Sequence, residues 1–195
     1  KAEVVVQECA AGLVRVRRET GHLAFAAPPL VRSGSVDETT LTRIVEGLGI
    51  GLASIRTSNW VDNGPGWVGL LLGSRAEVLA IKPDYSRLAG LNIGVVAPWD
   101  ETDAQADVEV RAFMGDEFAE DPVTGSANAA IAAYLHQCGM LAAIGNPNTA
   151  SQGRELGREA GEHRRVVAVG RQVPALAAGI PVGLGEPLLD VGVEG

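Results

Sequence analysis

The sequence predicts an α+β protein whose sheet is mostly antiparallel. Short apolar segments follow one another at hairpin spacing near the start of the chain. One amphipathic helix is predicted in residues 35–49, and one strongly apolar helix is predicted after residue 127. Because the helices are few and do not alternate with the strands, a parallel β-α-β ladder is not expected.

The first predicted elements are three strands. Glu3–Glu8 and Leu13–Arg17 are rich in valine, and residues 10–12 supply a tight turn between them. Leu23–Ala26 is a third short strand. The Ala-Pro-Pro run at residues 27–29 ends it, and we expect a linker there.

The next element is an amphipathic helix. Ser35 and Glu38 have the spacing of a capping box, and Gly49 is placed to end the helix. Its apolar positions recur on one helical face: Leu41, Ile44, Val45 and Leu48.

Further short strands and a few helices are predicted in the rest of the chain. We predict strands at Ile55–Asn59, Trp67–Leu72, Asn92–Ala97, Val108–Met114 and Val166–Val169, and helices at Arg75–Ile81, Tyr85–Leu91 and Asn128–Met140. From about Ala160 the pattern weakens, and Pro174–Gly195 shows no clear period.

Composition restricts the possible functions. The net charge of −8 argues against nucleic acid or an anionic membrane as a partner. Cys9 and Cys138 show no metal-binding spacing, and the three histidines form no HxxxH pair, so no metal site is expected. No apolar run is long enough to span a bilayer, and we expect a cytoplasmic protein.

The most informative segment is Glu120–Ala127, which directly precedes the apolar helix. One interpretation is a capped helix start, since Ser, Thr and Asp are common there. The other is an anion site, because free backbone N–H groups and the positive end of the helix dipole meet at such a start. Two hydroxyls and a glycine exceed what one cap needs, and Asp121 beside them indicates acid–base chemistry.

Two further segments have both a structural and a functional interpretation. Residues 62–66, which include Asn63 and Gly64, form either a hairpin turn or a loop whose backbone faces the pocket. Gln152–Arg158 forms either a surface turn or a carboxylate-binding segment through Arg154 or Arg158. Ser126 has no nearby histidine and no GxSxG context, so a serine hydrolase is not supported.

Taken in order, these segments resemble the PhzF-like family, which has the diaminopimelate epimerase fold. The resemblance runs from Val4 to Arg158, and its specific motif is Glu120–Ala127. It implies two lobes, each a curled sheet around one central helix, with the site in the cleft between them. Asn128–Met140 would be the central helix of the second lobe, and residues 1–29 the end of the first.

The resemblance also implies functional residues and an activity. Asp121 is the expected catalytic residue, and the expected substrate-binding residues are Asn63, Gly64, Thr124, Gly125, Ser126, Gly153 and Arg158. Family members need no metal or organic cofactor and isomerise a dihydro-hydroxyanthranilate by proton transfer. We therefore expect a cofactor-independent isomerase or epimerase acting on a small carboxylate.

The chain also departs from the family pattern. The family's general base is a glutamate near an N-terminal Gly-Asn-Pro motif, whereas the only such motif here is at residues 145–147. We expect the chain, which starts at Lys1, to be part of a longer protein, with a second lobe at residues 30–160 and a divergent tail at 161–195 that lacks the closing strands. Neither cysteine occupies a motif position, which disfavours racemisation by two thiols.

These departures leave an alternative open. A lone lobe would expose its cleft and sheet edges, and we expect such a protein to form a homodimer. The alternative function is therefore a non-catalytic lobe that binds a small anion or associates with itself.

Overall fold

The computed structural model describes residues 4–9, 12–19, 22–26, 29–99, 106–137, 148–156, 166–169 and 188–191. The strands are β1 (Val4–Cys9), β2 (Gly12–Glu19), β3 (His22–Ala26), β4 (Arg32–Gly34), β5 (Ile55–Asp62), β6 (Trp67–Leu72), β7 (Asn92–Pro98), β8 (Val108–Met114), β9 (Ala119–Asp121), β10 (Asn148–Gln152), β11 (Val166–Val169) and β12 (Leu188–Val191). The α-helices are α1 (Glu38–Leu48), α2 (Arg75–Leu79), α3 (Tyr85–Leu88) and α4 (Gly125–Gln137).

These strands form one curled sheet, in the order β1-β2-β3-β12-β11-β10-β8-β7-β6-β5-β4, with β9 paired to β8. Among the described pairs, β6 with β7 and β8 with β10 are parallel and the others are antiparallel. The predicted fold class, a mostly antiparallel α+β sheet, is confirmed.

The two faces of the sheet carry different helices because side chains alternate along each strand. In β8, Val108 and Val110 pack on the α4 face, which we call the inner face. Phe113 packs on the opposite, outer face with residues of α1, α2 and α3. Neighbouring residues of one strand therefore serve different layers.

Helix α4 is the central helix. Its residues 127–135 are all buried, and it contacts strands on both sides of the sheet centre, including β5, β6, β7, β11 and β12. Small side chains allow this close approach: a Cβ added at Gly94 of β7 would lie 3.0 Å from Cδ1 of Ile131. The central helix is as predicted, but it begins at Gly125 rather than Asn128.

Helix α1 is confirmed, but the predicted cap is wrong. Asp37, not Ser35, is the N-cap, and its side chain accepts hydrogen bonds from the Thr40 N–H (2.9 Å) and hydroxyl (2.7 Å). These bonds hold the pKa of Asp37 below its usual value. Serine and aspartate are both favoured at the N-cap position, so the residue types alone do not decide between Ser35 and Asp37. Gly49 ends α1 in the left-handed conformation as predicted.

Several boundaries differ from the predictions. Strand β5 continues to Asp62, and helices α2 and α3 are shorter than predicted. The capping box predicted at Ser35 occurs instead in α2, where Ser74 and Glu77 bond to each other's backbone N–H groups. The sequence also gave no signal for the short strands β4 and β9 or for β10.

The C-terminal region contains more structure than predicted. Strand β11 is confirmed, and β12 pairs with β11 on one side and with β3 on the other. The expectation that the tail lacks closing strands is therefore wrong. The division into lobes at residues 29 and 160 stays a prediction, while the turn at 10–11, the linker at 27–28 and residues 138–147 lie outside the described residues. Within the described ranges, no helix is long and apolar enough to cross a membrane.

Candidate functional site

The candidate site is built where β9 leads into α4. Asp121 ends β9, and its Oδ1 accepts a hydrogen bond from the N–H of Val123 (2.9 Å) across the intervening proline. The other carboxylate oxygen has no hydrogen-bond donor among the described residues. One oxygen of Asp121 is therefore held by the turn, and the other is not bonded by any described residue.

The start of α4 offers unpaired N–H donors. Asn128 makes the first helical bond, from its N–H to the carbonyl of Thr124 (3.1 Å). No described residue accepts a hydrogen bond from the N–H of Gly125, Ser126 or Ala127, as expected for the first turn of a helix. A Cβ added at Gly125 would meet nothing within 4 Å, so the described residues leave space beside this residue.

The side chain of Gln152 fixes the turn between β9 and α4 by hydrogen bonds. Its Nε2 donates to the carbonyl of Asp121 (2.8 Å) and to Oγ1 of Thr124 (3.1 Å). Its Oε1 accepts from the N–H of Thr124 (3.2 Å) and from Nδ2 of Asn128 (2.7 Å). Gln152 is fully buried, so every polar group of its amide is satisfied by the site it supports. We call these four residues the inner network.

Ser126 is held from the side by the β5–β6 hairpin. The indole Nε1 of Trp67 donates to the Ser126 Oγ (3.0 Å), and Nδ2 of Asn63 donates to the Ser126 carbonyl (2.9 Å). Oδ1 of Asn63 is buried and accepts no hydrogen bond from the described residues. The structure therefore brings together Asn63 and Ser126, which are far apart in the sequence.

Gly64 has a conformational role in this hairpin. Its φ of 136° and the φ of 86° at Gly66 lie in the region that favours glycine. Both N–H groups donate to Oδ1 of Asp62, at 2.7 and 2.6 Å. The hairpin-turn interpretation of residues 62–66 is confirmed, and the N–H of Gly64 is already engaged within the turn.

The end of β10 and the residues after it differ from the predicted surface turn. The surface-turn interpretation is wrong for Gln152 and Gly153, which are buried. Arg154 lies beside Trp99, with its guanidinium carbon 5.9 Å from the ring centroid. Arg158, predicted to bind substrate, lies outside the described residues.

The outer face carries charged side chains under α2. Arg111 forms a bidentate pair with Glu120 (2.9 and 2.6 Å) and donates to the carbonyls of Val78 (3.2 Å) and Ile81 (2.8 Å). Glu120, although it belongs to the same motif as Asp121, therefore faces away from the candidate site and anchors a helix.

A second outer cluster surrounds Glu109, which is fully buried. Its carboxylate accepts hydrogen bonds from Nε of Arg75 (3.2 Å), Nε1 of Trp99 (3.1 Å) and the Ser151 hydroxyl (3.3 Å). Burial raises the pKa of Glu109, and the bond from Arg75 opposes that shift. Over the described ranges, no three His, Cys, Asp or Glu residues are grouped to hold a metal ion.

Three residues of the site were missed by the sequence analysis: Trp67, Asn128 and Gln152. Gln152 stands beside the predicted Gly153, and Asn128 is the one polar residue in the apolar run 127–133, which is a usable signal for a buried hydrogen bond. Trp67 gave no signal, because a tryptophan in a strand is usually only a core residue.

Comparison with known proteins gives one family and several solved structures. The family model for phenazine biosynthesis-like proteins, PhzC-PhzF, matches residues 1–173. A PhzF-family structure from Bacillus anthracis aligns with a TM-score of 0.73, 13% identity and coverage of 98% of this chain and 66% of its own. One from Enterococcus faecalis aligns with a TM-score of 0.66, 18% identity and coverage of 98% and 62%.

A third solved structure, described as a predicted epimerase from Pseudomonas aeruginosa, aligns with a TM-score of 0.63 and 16% identity. It is covered over 63% of its own length, against 97% of this chain. The chain thus spans somewhat less than two thirds of these structures. No curated protein matches it.

Proposed function

Because this chain belongs to the phenazine biosynthesis-like protein family, we propose that it carries half of the active site of an isomerase or epimerase. The substrate is a small carboxylate, and the reaction is a proton transfer that needs no cofactor. Asp121 orients or relays the proton, and a carboxylate from a segment outside this chain abstracts it. The predicted-epimerase description of the Pseudomonas aeruginosa structure supports the reaction class.

One observation carries the proposal: a carboxylate oxygen of Asp121 and three N–H groups near it have no hydrogen-bond partner among the described residues. Asp121 precedes the first turn of α4, which contributes the N–H groups of Gly125, Ser126 and Ala127. The N–H groups and the helix dipole favour an anionic group of the substrate. A substrate held there by its carboxylate has its neighbouring atoms within reach of Asp121.

The inner network makes this arrangement rigid, and the residues that support Asp121 in it add no charge. Gln152 and Asn128 are neutral, and their bonds fix the backbone on both sides of the turn. A fixed carboxylate and fixed donors reduce the reorganisation that a proton transfer requires. Gly153 and Arg158 stay proposed as substrate-binding residues at the end of the segment that contains Gln152.

A second candidate function rests on a different observation. The side chains of Val4, Val5 and Val6 are 45%, 58% and 53% exposed on the edge strand β1, although valine favours burial. Neighbouring strand residues point to opposite faces, so apolar surface is exposed on both. The alternative is therefore a lobe that binds a small anion and self-associates through this edge, without catalysis. We propose a cytoplasmic homodimer in either case.

The experiment begins with the intact mass of the native protein, which defines the chain to be assayed. That protein is incubated in D2O with a panel of small carboxylates, and deuterium incorporation at carbon is followed by proton NMR. We expect exchange, and we expect Asp121→Asn to lower its rate by about 10²–10⁴-fold, the usual contribution of acid–base catalysis. The matched control is Asp116→Asn, whose exposed carboxylate accepts a bond from Gly90.

The outcomes separate the two candidates. Exchange that depends on Asp121 but not on Asp116 supports the isomerase. Carboxylate binding without exchange in the native protein supports the anion-binding lobe instead. Exchange that survives in Asp121→Asn at the full rate contradicts the role of Asp121. Isomerase turnover by the 195-residue chain alone contradicts the idea that its site is half complete.

A further inference from the structure

The hydrogen bond between Trp67 and Ser126 restricts what the Ser126 hydroxyl can do. An indole N–H is a donor only, so the hydroxyl oxygen must be the acceptor at 3.0 Å. The hydroxyl proton is then free to be donated, and no described residue accepts it. The bond therefore sets the direction in which the hydroxyl proton can point.

The same bond argues against a nucleophilic serine. A nucleophilic hydroxyl needs a base within hydrogen-bond distance to remove its proton. The group that contacts the Ser126 Oγ is an indole, which has no lone pair to accept a proton. Among the described residues, Ser126 can thus bind a ligand but has nothing to activate it for attack.

Trp67 is itself firmly placed. It is 2% exposed and is the first residue of β6, paired with Asn92 of β7. Asn92 also donates from Nδ2 to the carbonyl of Pro65 (2.7 Å), which fixes the turn just before Trp67. The indole therefore reaches Ser126 from a strand that is paired on both sides, with β5 and β7, and not from a loop.

We propose that Trp67 is a positioning residue that commits the Ser126 hydroxyl to donate its proton to an acceptor atom of the bound ligand. Neither Trp67 nor Ser126 is charged, so their bond selects the ligand's acceptor atom by its position and not by its charge. The inference rests on the proposed function for the presence of a carboxylate ligand. It goes beyond that function by naming the residue that orients the serine and by assigning the serine to binding, since no described residue is placed to activate it.

The bond is tested first without any ligand. The full chain contains three tryptophans, so a proton–nitrogen NMR spectrum shows three indole N–H signals, and Trp67→Phe assigns one of them. In Ser126→Ala the signal of Trp67 should move upfield because its acceptor is lost, while those of Trp60 and Trp99 stay in place. An unchanged Trp67 signal overturns the inference, whatever the protein binds.

The consequence is tested with benzoate as the probe, and benzylammonium as a probe of similar shape that lacks an acceptor. Wild type should bind benzoate more tightly than benzylammonium. Trp67→Phe should weaken benzoate binding about threefold to tenfold, the range for one hydrogen bond. Trp99→Phe removes another buried indole N–H, from the Glu109 cluster, and should change binding less than twofold.

A double-mutant cycle distinguishes positioning from a general loss of structure. If Trp67 acts through Ser126, then Trp67→Phe should have no further effect on benzoate binding in the Ser126→Ala background. Equal losses in both backgrounds overturn the inference. If wild type binds benzoate but Trp67→Phe binds it equally well, the inference fails and the proposed function stands. If wild type fails to bind benzoate at all, both fail.

Discussion

The two faces of the sheet hold two different kinds of buried polar network. On the inner face, uncharged groups of Thr124, Asn128 and Gln152 bond to one another and to the backbone. On the outer face, the buried networks are built around ion pairs, such as that of Arg111 with Glu120 at 2.6 Å. The change occurs between adjacent residues, since Glu120 faces outward and Asp121 ends on the inner side.

The difference teaches how charge is distributed around a candidate anion site. A buried charge needs an oppositely charged partner, and that partner would compete with a substrate. The outer face can hold such pairs because its task is to attach α2 to the sheet. The inner face fixes backbone geometry with amides, and so Asp121 keeps a carboxylate oxygen that no described residue bonds.

The largest effect is expected from breaking the outer ion pair. Arg111→Met leaves Glu120 buried without its partner and removes the guanidinium donor from the carbonyls of Val78 and Ile81 at the end of α2. We expect a loss of about 3–5 kcal/mol in the free energy of unfolding, measured by urea titration.

The matched control for Arg111→Met is Arg87→Met, which breaks an exposed pair with Glu46. An exposed pair contributes at most about 1 kcal/mol. Similar losses in the two variants would contradict the contrast between a buried and an exposed charge.

The next effect concerns the inner network. Gln152→Leu preserves much of the side-chain volume but removes the acceptor of Thr124 and Asn128 and the donor to the Asp121 carbonyl. Since each buried unpaired group costs about 1–3 kcal/mol, we expect the unfolding free energy to fall by about 2–3 kcal/mol. Gln7→Leu, on the exposed edge strand, should leave the urea midpoint nearly unchanged.

A smaller change isolates one bond of that network. Thr124→Val is close in shape to threonine and removes only the acceptor of Nε2 of Gln152. We expect a loss of about 1 kcal/mol by thermal or urea unfolding. Thr124→Ser keeps the hydroxyl, and it should be the more stable of the two if the hydrogen bond matters more than the methyl group. The reverse order would show that packing dominates at this position.

The smallest effect is a pH dependence of the outer face. Because burial raises the pKa of Glu109, the folded state binds its proton more tightly than the unfolded state does. The stability of wild type relative to Glu109→Gln should therefore be greatest below the ordinary pKa of 4.5 and should fall as the pH rises through the raised pKa of the folded state.

This pH dependence is measured by urea unfolding of both proteins from pH 4 upward, in steps of about one unit, the scale over which one group titrates. Glu38→Gln, in the first turn of α1 and exposed, is the control. A stability difference between wild type and Glu109→Gln with no dependence on pH would contradict the assigned burial effect.

Much of the fold could be predicted from local pattern. The continuous apolar run in Trp67–Leu72 and the alternation in Val108–Met114 predicted strands, and the apolar spacing in residues 38–48 predicted α1, because burial imposes a pattern on the sequence. Strand β12 could not be predicted, since Leu188–Val191 is a strand only through its pairing with β3 and β11. Such pairing is a contact between distant segments.

The candidate site, like the fold, combines features that the sequence predicts with features that depend on strand pairing. The motif at Glu120–Ala127 predicted the helix start and its exposed N–H groups, which depend only on neighbouring residues. The sequence did not predict that Glu120 and Asp121 serve opposite faces, or that Gln152 supports the turn. Those roles depend on the pairing of β9 and β10 with β8.

By itself, the sequence determined the fold class, the family and the presence of a helix after the motif, because apolar runs, helical periodicity and a contiguous motif are local properties. Only the tertiary structure decided which side chains meet there. Trp67 contacts Ser126 across 59 residues, and Gln152 contacts Thr124 across 28. These contacts exist because the curled sheet encloses α4, and a buried polar group must find its partner wherever the fold places one.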